Sequence, residues 1–387
     1  MARNSTPKKK VVFLTSTRAD FGKIKSLISA ANNLRDLEVH IFATGMHMLK
    51  EYDYTVNEIE KCGFPNIYKF INHTGPAPLG EILANTLHGL GNFVREFKPD
   101  LILVHGDRVE ALAGALAGAL NNILVGHIEG GEVSGTIDEH IRHAVSKMSH
   151  LHFVSNDESR RRLIQMGEAN ENIYVIGSPD LDIMNSSRLP SLRQAAQRYS
   201  IPFTEFGIFI YHPVTTELEE LRAQINVVID VLVNSKMNFV VIHPNNDPGA
   251  DVIKNAYNKK LSHIPRFKIF PSMRFEYFLA LLKRSHFIIG NSSAGIKEAP
   301  FYGVPTIDIG TRQMNRIRQP LNGIFKCDYK KDHILSLINK LSKEKVRFEL
   351  QKNFGSGDSH RHFIDILKNG EIWNKNIQKQ FLDVHFS

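Results

Sequence analysis

The stretch Leu101–Glu132, LILVHGDRVEALAGALAGALNNILVGHIEGGE, holds the plan of the whole chain in miniature. Leu101 to His105 and Asn122 to His127 are short apolar runs of strand character, and Val109 to Leu120 between them repeats with a helical period. The Ala and Gly content of that middle segment lets a helix lie close against a sheet. Strand, crossover helix and strand make a βαβ unit, which implies a parallel sheet.

The same grammar extends in both directions. Strands are expected at Lys10 to Thr15, Glu38 to Thr44, His150 to Ser155 and Ile173 to Gly177. From Phe21 to Leu34 the residues Phe21, Ile24, Leu27, Ile28, Ala31 and Leu34 share one helical face. The second half repeats the pattern with strands at Gly207 to Tyr211, Asn238 to His243, Arg266 to Phe270, His286 to Gly290 and Pro305 to Ile309. A length of 387 residues suits two domains. The fold class is therefore α/β, with two tandem doubly wound, Rossmann-like domains. The expected boundaries are 1–184 for the first domain, 185–206 for a Ser- and Pro-containing linker and 207–365 for the second domain. A C-terminal helix within 366–387, centred on the amphipathic stretch Glu371 to Phe381, is expected to pack back on the first domain.

Composition narrows the function classes. Charged residues are 23% and the hydrophobic set 42%, which excludes a disordered, collagen-like or mucin-like chain. Lys plus Arg (48) exceed Asp plus Glu (40), so an anionic partner is plausible, but Lys8, Lys9 and Lys10 form the one dense basic run. No helix-turn-helix or interleaved basic and aromatic stripe points to nucleic acid. Cys62 and Cys327 make neither a disulfide framework nor a metal-ligand spacing, and Val11 to Leu14 is too short for a signal-peptide core or a membrane span. A cytoplasmic protein without membrane attachment is expected.

In open parallel sheets ligands bind beyond the carboxyl ends of strands, and here those positions are polar. They read Thr15-Ser16-Thr17-Arg18-Ala19-Asp20, Thr44-Gly45-Met46-His47, His105-Gly106-Asp107-Arg108 and His127-Ile128-Glu129-Gly130-Gly131-Glu132. Asp107, Glu129 and Asp138 bring three carboxylates toward one crevice, where burial and mutual repulsion separate pKa values as acid–base chemistry requires. Taken singly, Asp107 also suits a helix cap, and Asp138 with Glu139 a helix N-terminus. His127, His140 and His143 could be drawn as a metal site, but a His-x-x-His pair without a coupled carboxylate motif is weak, and an ion-pair network with Arg142 explains the helix equally. In the second half, Tyr211-His212-Pro213 and the small-residue turn Gly290-Asn291-Ser292-Ser293-Ala294-Gly295 suit a phosphate at a strand-to-helix turn, and Glu298 a ribose. There is no dinucleotide fingerprint after a strand and no Walker lysine loop, so nicotinamide and ATP chemistry are disfavoured.

These segments, with Gly177-Ser178-Pro179-Asp180, Thr215-Thr216-Glu217 and Gly310-Thr311-Arg312-Gln313, resemble the hydrolysing UDP-N-acetylglucosamine 2-epimerases of bacterial sialic and legionaminic acid biosynthesis. The resemblance implies two domains of the glycosyltransferase-B type, closing on a UDP-sugar in the cleft between them. It places the catalytic carboxylates on Asp107, Glu129 and Asp138. It places substrate contacts on Arg18, His212, Ser292, Ser293, Glu298 and Arg312, with His47 holding sugar hydroxyls or serving the fold. It further implies a homo-oligomer and no metal or other cofactor. The implied reaction is anti elimination of UDP to a 2-acetamidoglucal, then syn hydration to the C2-inverted free sugar; which carboxylate serves which step stays open. The rival readings are the same reaction on UDP-N,N'-diacetylbacillosamine, a non-hydrolysing epimerase, a glycosyltransferase of the same architecture and a catalytically silent nucleotide-sugar sensor.

Overall fold

A computed structural model describes residues 7–134, 137–314, 322–350 and 354–383. The chain divides into two compact units, one made of Met1–Glu132, Asp138–Asn185 and Asn353–Ser387, the other of Val133–Ile137 and Ser186–Lys352.

The first unit is built on the strands β1 (Lys9–Thr15), β2 (Leu37–Ala43), β3 (Ile67–Lys69), β4 (Leu101–His105), β5 (Leu124–Ile128), β6 (Leu151–Val154) and β7 (Ile173–Val175). They form one seven-stranded sheet in the order β3-β2-β1-β4-β5-β6-β7. Every pairing is parallel. The chain reverses its direction of travel across the sheet between β1 and β4, the switch point where such sheets open a ligand crevice. Residues in β1, β4 and β5 are almost all buried, as expected for strands covered by helices on both faces. The crossover helix runs Val109–Leu120 as expected, and its glycines explain how it fits. A methyl group on Gly118 would stand 2.3 Å from Val125 Cγ2, and one on Gly114 would stand 2.6 Å from Leu14 Cδ2 and Val104 Cγ1.

The second unit carries β8 (Gly207–Ile210), β9 (Phe239–Ile242), β10 (Phe267–Phe270), β11 (Ile288–Gly290), β12 (Thr306–Ile309) and β13 (Ile324–Cys327). Their order is β10-β9-β8-β11-β12-β13, again parallel throughout, with the switch point between β8 and β11. Its core packs Phe209, Phe239, Phe287 and Ile289 against helix residues such as Ile225, Ile229 and Ile253.

Three expectations are corrected. The segment 185–206 is not a bare linker: from Ser186 it belongs to the second unit and carries a helix, Leu192–Arg198, whose Ser191 and Gln194 form a reciprocal capping box. The second unit ends at 352 rather than 365, because a helix at Ser359–Asn369 inserts Phe363 and Leu367 into the first unit's core. The stretch Glu371 to Phe381 is not a helix; only Glu371–Asn374 makes a single 3-10 turn, with Ile372 buried. Among the described residues no helix is long and apolar enough to cross a membrane.

Candidate active site

Each unit presents its polar residues at the carboxyl ends of the strands flanking its switch point.

In the first unit β1 ends in a capping box. Thr17 accepts from the Asp20 backbone N–H at 3.1 Å, while Asp20 accepts from the backbone N–H groups of Thr17 at 3.0 Å and Ser16 at 2.9 Å. This box starts the helix Arg18–Asn32. Arg18 stands at the first helical position, where a cation opposes the helix dipole, and its buried Nε meets no acceptor in the structure.

His47 lies beside this box and is fully buried. Its Nε2 is 3.1 Å from Thr15 Oγ1, and its Nδ1 is 2.7 Å from Thr55 Oγ1. Thr15 already donates to Asp20, so it accepts from the imidazole, which is then neutral with its proton on Nε2. Burial lowers the His47 pKa to about 4, against the pull of Asp20. Both ring nitrogens are engaged within the fold, so His47 positions Thr15 and Asp20, the second of the two roles the sequence reading allowed.

Beyond β4 and β5 the carboxylates gather around one buried cation. Arg142, from the helix Ile137–Met148, donates to the Asp107 carboxylate and, at 2.7 Å, to the Glu129 carbonyl oxygen. It also stands 3.9 Å from Glu132. Burial works against its charge, but Asp107, Glu132, Glu129 and Asp138 together raise its pKa above the ordinary arginine value. The structure thus brings Asp107, Glu129 and Asp138 together through a residue that the sequence reading had assigned only to a local helix network. An acid four residues ahead of Arg142 was the visible signal; its partner 35 residues away was not.

The Glu129 carboxylate is itself held on both sides. Ser178 Oγ donates to one oxygen, and His105 Nε2 stands 3.2 Å from the other. His127 does not point toward a metal. Its Nε2 donates to the Gly106 carbonyl at 2.8 Å and its Nδ1 accepts from Ser146 at 3.0 Å, while burial lowers its pKa to about 3. Among the described residues no group of three or more His, Cys, Asp or Glu side chains could hold a metal ion.

In the second unit β8 and β11 are locked at their carboxyl ends by Asn291. Its side chain accepts from the His212 backbone N–H at 2.7 Å and donates to the His212 carbonyl at 2.8 Å. The glycine before it, Gly290, has φ +131°, and a Cβ there would stand 1.9 Å from the Ile210 carbonyl oxygen, so the turn requires glycine. His212 Nδ1 accepts from the Asn245 backbone N–H at 3.2 Å, which leaves its proton on Nε2, the tautomer able to donate to an anionic oxygen. The turn continues through half-buried Ser292 and Ser293 into the short helix Glu298–Phe301, with the Glu298 side chain buried. Gln313 donates to the Asn291 carbonyl at 2.8 Å, and Arg312 reaches the same oxygen at 3.5 Å. Sequence reading missed the bracing roles of Asn291 and Gln313, since neither amide has a local signal.

The model of one protein family, UDP-N-acetylglucosamine 2-epimerase, matches residues 29–368 of the chain. The chain is 45% identical to the UDP-N-acetylglucosamine 2-epimerase of Neisseria meningitidis serogroup B, over 97% of this chain and 100% of that protein. It is 32% identical to the UDP-N,N'-diacetylbacillosamine 2-epimerase (hydrolyzing) of Legionella pneumophila, over 95% of this chain and 98% of that protein. Among solved structures, Methanocaldococcus jannaschii UDP-GlcNAc 2-epimerase in complex with UDP-GlcNAc and UDP superposes with a TM-score of 0.78. It is 19% identical, and the match covers 93% of this chain and 100% of that one, a likeness of fold. With the family model spanning most of its length and relatives aligned almost end to end, the chain belongs to the UDP-N-acetylglucosamine 2-epimerase family.

Proposed function

We propose that the protein is a hydrolysing epimerase that converts UDP-N-acetylglucosamine and water to N-acetylmannosamine and UDP, a step toward nonulosonic (sialic) acids. The observation that carries this reading is the gathering of the Asp107 and Glu132 carboxylates and the Glu129 carbonyl around the buried guanidinium of Arg142, with Asp138 in its field. Such a cluster keeps several carboxylates close together in a protein interior, which is what consecutive proton transfers need. The Legionella relative, whose name specifies hydrolysis, aligns over almost the full chain and supports the hydrolysing outcome.

The chemistry explains the division of residue types. The C2 hydrogen of the sugar has no neighbouring carbonyl to acidify it, so a carboxylate removes it only as the C1–O bond to UDP breaks. The electron pair of C2–H becomes the C1–C2 double bond, and the diphosphate leaves with the bonding pair of C1–O. Arg18, His212, Arg312 and the turn at Ser292 and Ser293 are assigned to the charge growing on that diphosphate, and Glu298 to the ribose. In the second stage an acid returns a proton to C2 while a base delivers water to C1, giving the free sugar. Asp107, Glu129 and Asp138 are assigned these proton transfers. The expected cytoplasmic homo-oligomer belongs to the same proposal and is tested by cell fractionation and sedimentation.

The test is incubation of the purified protein with UDP-N-acetylglucosamine in D₂O, followed by NMR. The expected result is free UDP and free N-acetylmannosamine carrying deuterium at C2. A UDP-linked epimer would replace hydrolysis with a non-hydrolysing reaction, and product without the label would overturn the glycal route. A parallel incubation with UDP-N,N'-diacetylbacillosamine reads out substrate choice, with the faster release of UDP deciding it.

A further inference from the structure

Among the three candidate carboxylates, Glu129 is the one whose backbone lies in the left-handed region, at φ +64°. For a side chain larger than glycine this conformation is sterically disfavoured, so surrounding contacts must hold it. Its backbone N–H donates to the Phe153 carbonyl at 2.9 Å, and its carbonyl accepts from Arg142. The carboxylate lies between Ser178 and His105, and both are almost excluded from solvent. The Ser178 hydroxyl donates directly. His105 Nε2, at 3.2 Å, is off the line of a hydrogen bond.

Ser178 is fixed from behind. Its backbone N–H donates to the Phe354 carbonyl at 2.7 Å. Gly177 and Gly355, both at positive φ, meet backbone to backbone, and a Cβ on Gly355 would stand 2.9 Å from the Gly177 Cα. The segment that re-enters the first unit therefore sets the position of the hydroxyl.

We propose that Ser178 is a positioning residue that fixes the Glu129 carboxylate and stabilises its ionised form, with His105 as the opposing wall. This rests on the epimerase reading, in which Glu129 moves a proton. A hydroxyl donating to a carboxylate favours the charged form, so removing it raises the pH at which Glu129 ionises. Charged or titratable groups near Glu129 include His105 from β4 and Arg142 from the helix Ile137–Met148, and through Arg142 also Asp107, Glu132 and Asp138, with buried neutral His127 beyond. All are retained in a Ser178 variant, so a changed pH profile reports on the hydroxyl.

The experiment compares wild type, Ser178→Ala and Ser178→Thr by UDP release from UDP-N-acetylglucosamine between pH 5 and 9. For Ser178→Ala the expected result is kcat lowered about ten- to a hundredfold, KM within about twofold, and the acid limb of the kcat profile moved up by about one pH unit. Ser178→Thr keeps a hydroxyl and is expected to recover most of the rate. If near-UV circular dichroism shows Ser178→Ala to be misfolded, His105→Leu and His105→Gln replace it. Leucine is then expected to lower kcat and shift the same limb, and glutamine to stay near wild type. A folded Ser178→Ala with unchanged kcat and profile, or with only KM raised, overturns the proposal. So does His105→Leu at full activity with the wild-type pH profile. A wild-type protein that releases no UDP from either nucleotide sugar fails the epimerase reading instead.

Discussion

The first unit holds several histidines whose protonation the folded state resists: burial lowers His47 and His127 most clearly, and His73, His150 and His152 in the same direction, so the acid sensitivity worked from the first pair is a lower bound. His47 and His127 are wholly buried, and burial lowers their pKa values to about 4 and about 3. In the unfolded chain each titrates near 6.5, so below that pH the unfolded state binds protons that the folded state refuses. Stability is therefore complete above about pH 6.5 and falls as pH drops, until each folded histidine is itself protonated. At pH 5 each ring is about 1.5 pH units into this window, which at 1.36 kcal/mol per unit is roughly 2 kcal/mol, or about 4 kcal/mol for the pair. Glu168 does not confuse the reading. His152, Lys147 and Lys379 outweigh its burial and hold it at about 2, so its contribution is lost only below the ordinary glutamate range.

The chain carries one tryptophan, and Trp373 packs against the first unit's core, so its fluorescence reports that unit during urea unfolding. With a urea dependence of about 2–3 kcal/mol per molar, the midpoint at pH 5 is expected at least about 1.3–2 M below that at pH 7.5. In His127→Gln, which has no ring to protonate, that difference is expected to shrink by about 0.7–1 M, the share of one ring, whatever the variant's stability at neutral pH. Coincident midpoints at the two pH values, or an undiminished difference in the variant, would refute this account.

Asp107→Asn, Glu129→Gln and Asp138→Asn are each expected to lower UDP release about a hundredfold or more with far-UV circular dichroism unchanged; near-normal turnover in all three removes the acid–base set. Arg142→Met leaves Asp107 and Glu132 without their buried counter-charge and is expected to cost about 3–5 kcal/mol, read by chemical denaturation of the first unit. Asn291→Ala cuts both bonds that join it to the His212 backbone, and calorimetry is expected to show UDP bound about tenfold more weakly.

The central strands were legible because a strand covered on both faces is a continuous apolar run. Val11 to Leu14, Leu101 to Val104 and Phe239 to Val241 are all buried. Of the four edge strands, β7 and β10 were still apolar enough to be read, but Tyr68 is 44% exposed and Phe325 only partly buried, so β3 and β13 read as loop. The helix Ser359–Asn369 was hidden differently, since Phe363 and Leu367 have helical spacing but follow Gly355 and Gly357, which look like the end of a domain. In the candidate site, the rule that ligands meet strand carboxyl ends located Asp107, Glu129 and His212 without any knowledge of contacts. The same rule could not choose between the two roles offered for His47, because a polar residue just past a strand looks the same whether its ring turns toward solvent or, as here, into the core. Arg142 escaped it, and the rule reached Ser178 and Asn291 without their roles, since the work of all three is done on residues distant in the chain.

The returning segment shows why fold and chemistry cannot be assigned to separate parts of this sequence. Asp182, in the short helix Asp180–Met184, accepts from the backbone N–H groups of Ser359 at 2.8 Å and His360 at 2.9 Å, and so caps the helix Ser359–Asn369. Asn185 donates to the Ser356 carbonyl at 2.7 Å. The residues where the chain leaves the first unit are thereby stitched to those where it comes back. Phe363, beyond the cap, packs edge-on against Phe13 of β1 and Phe153 of β6. Phe354, ahead of the cap, accepts from Ser178, which in turn donates to Glu129. A disturbance of the re-entry segment therefore acts first on the rotamer of a carboxylate, through one backbone hydrogen bond and one hydroxyl. Loss of the cap reaches the aromatic core by a separate route. Activity can accordingly be lost there while the sheet and its Phe cluster stay intact.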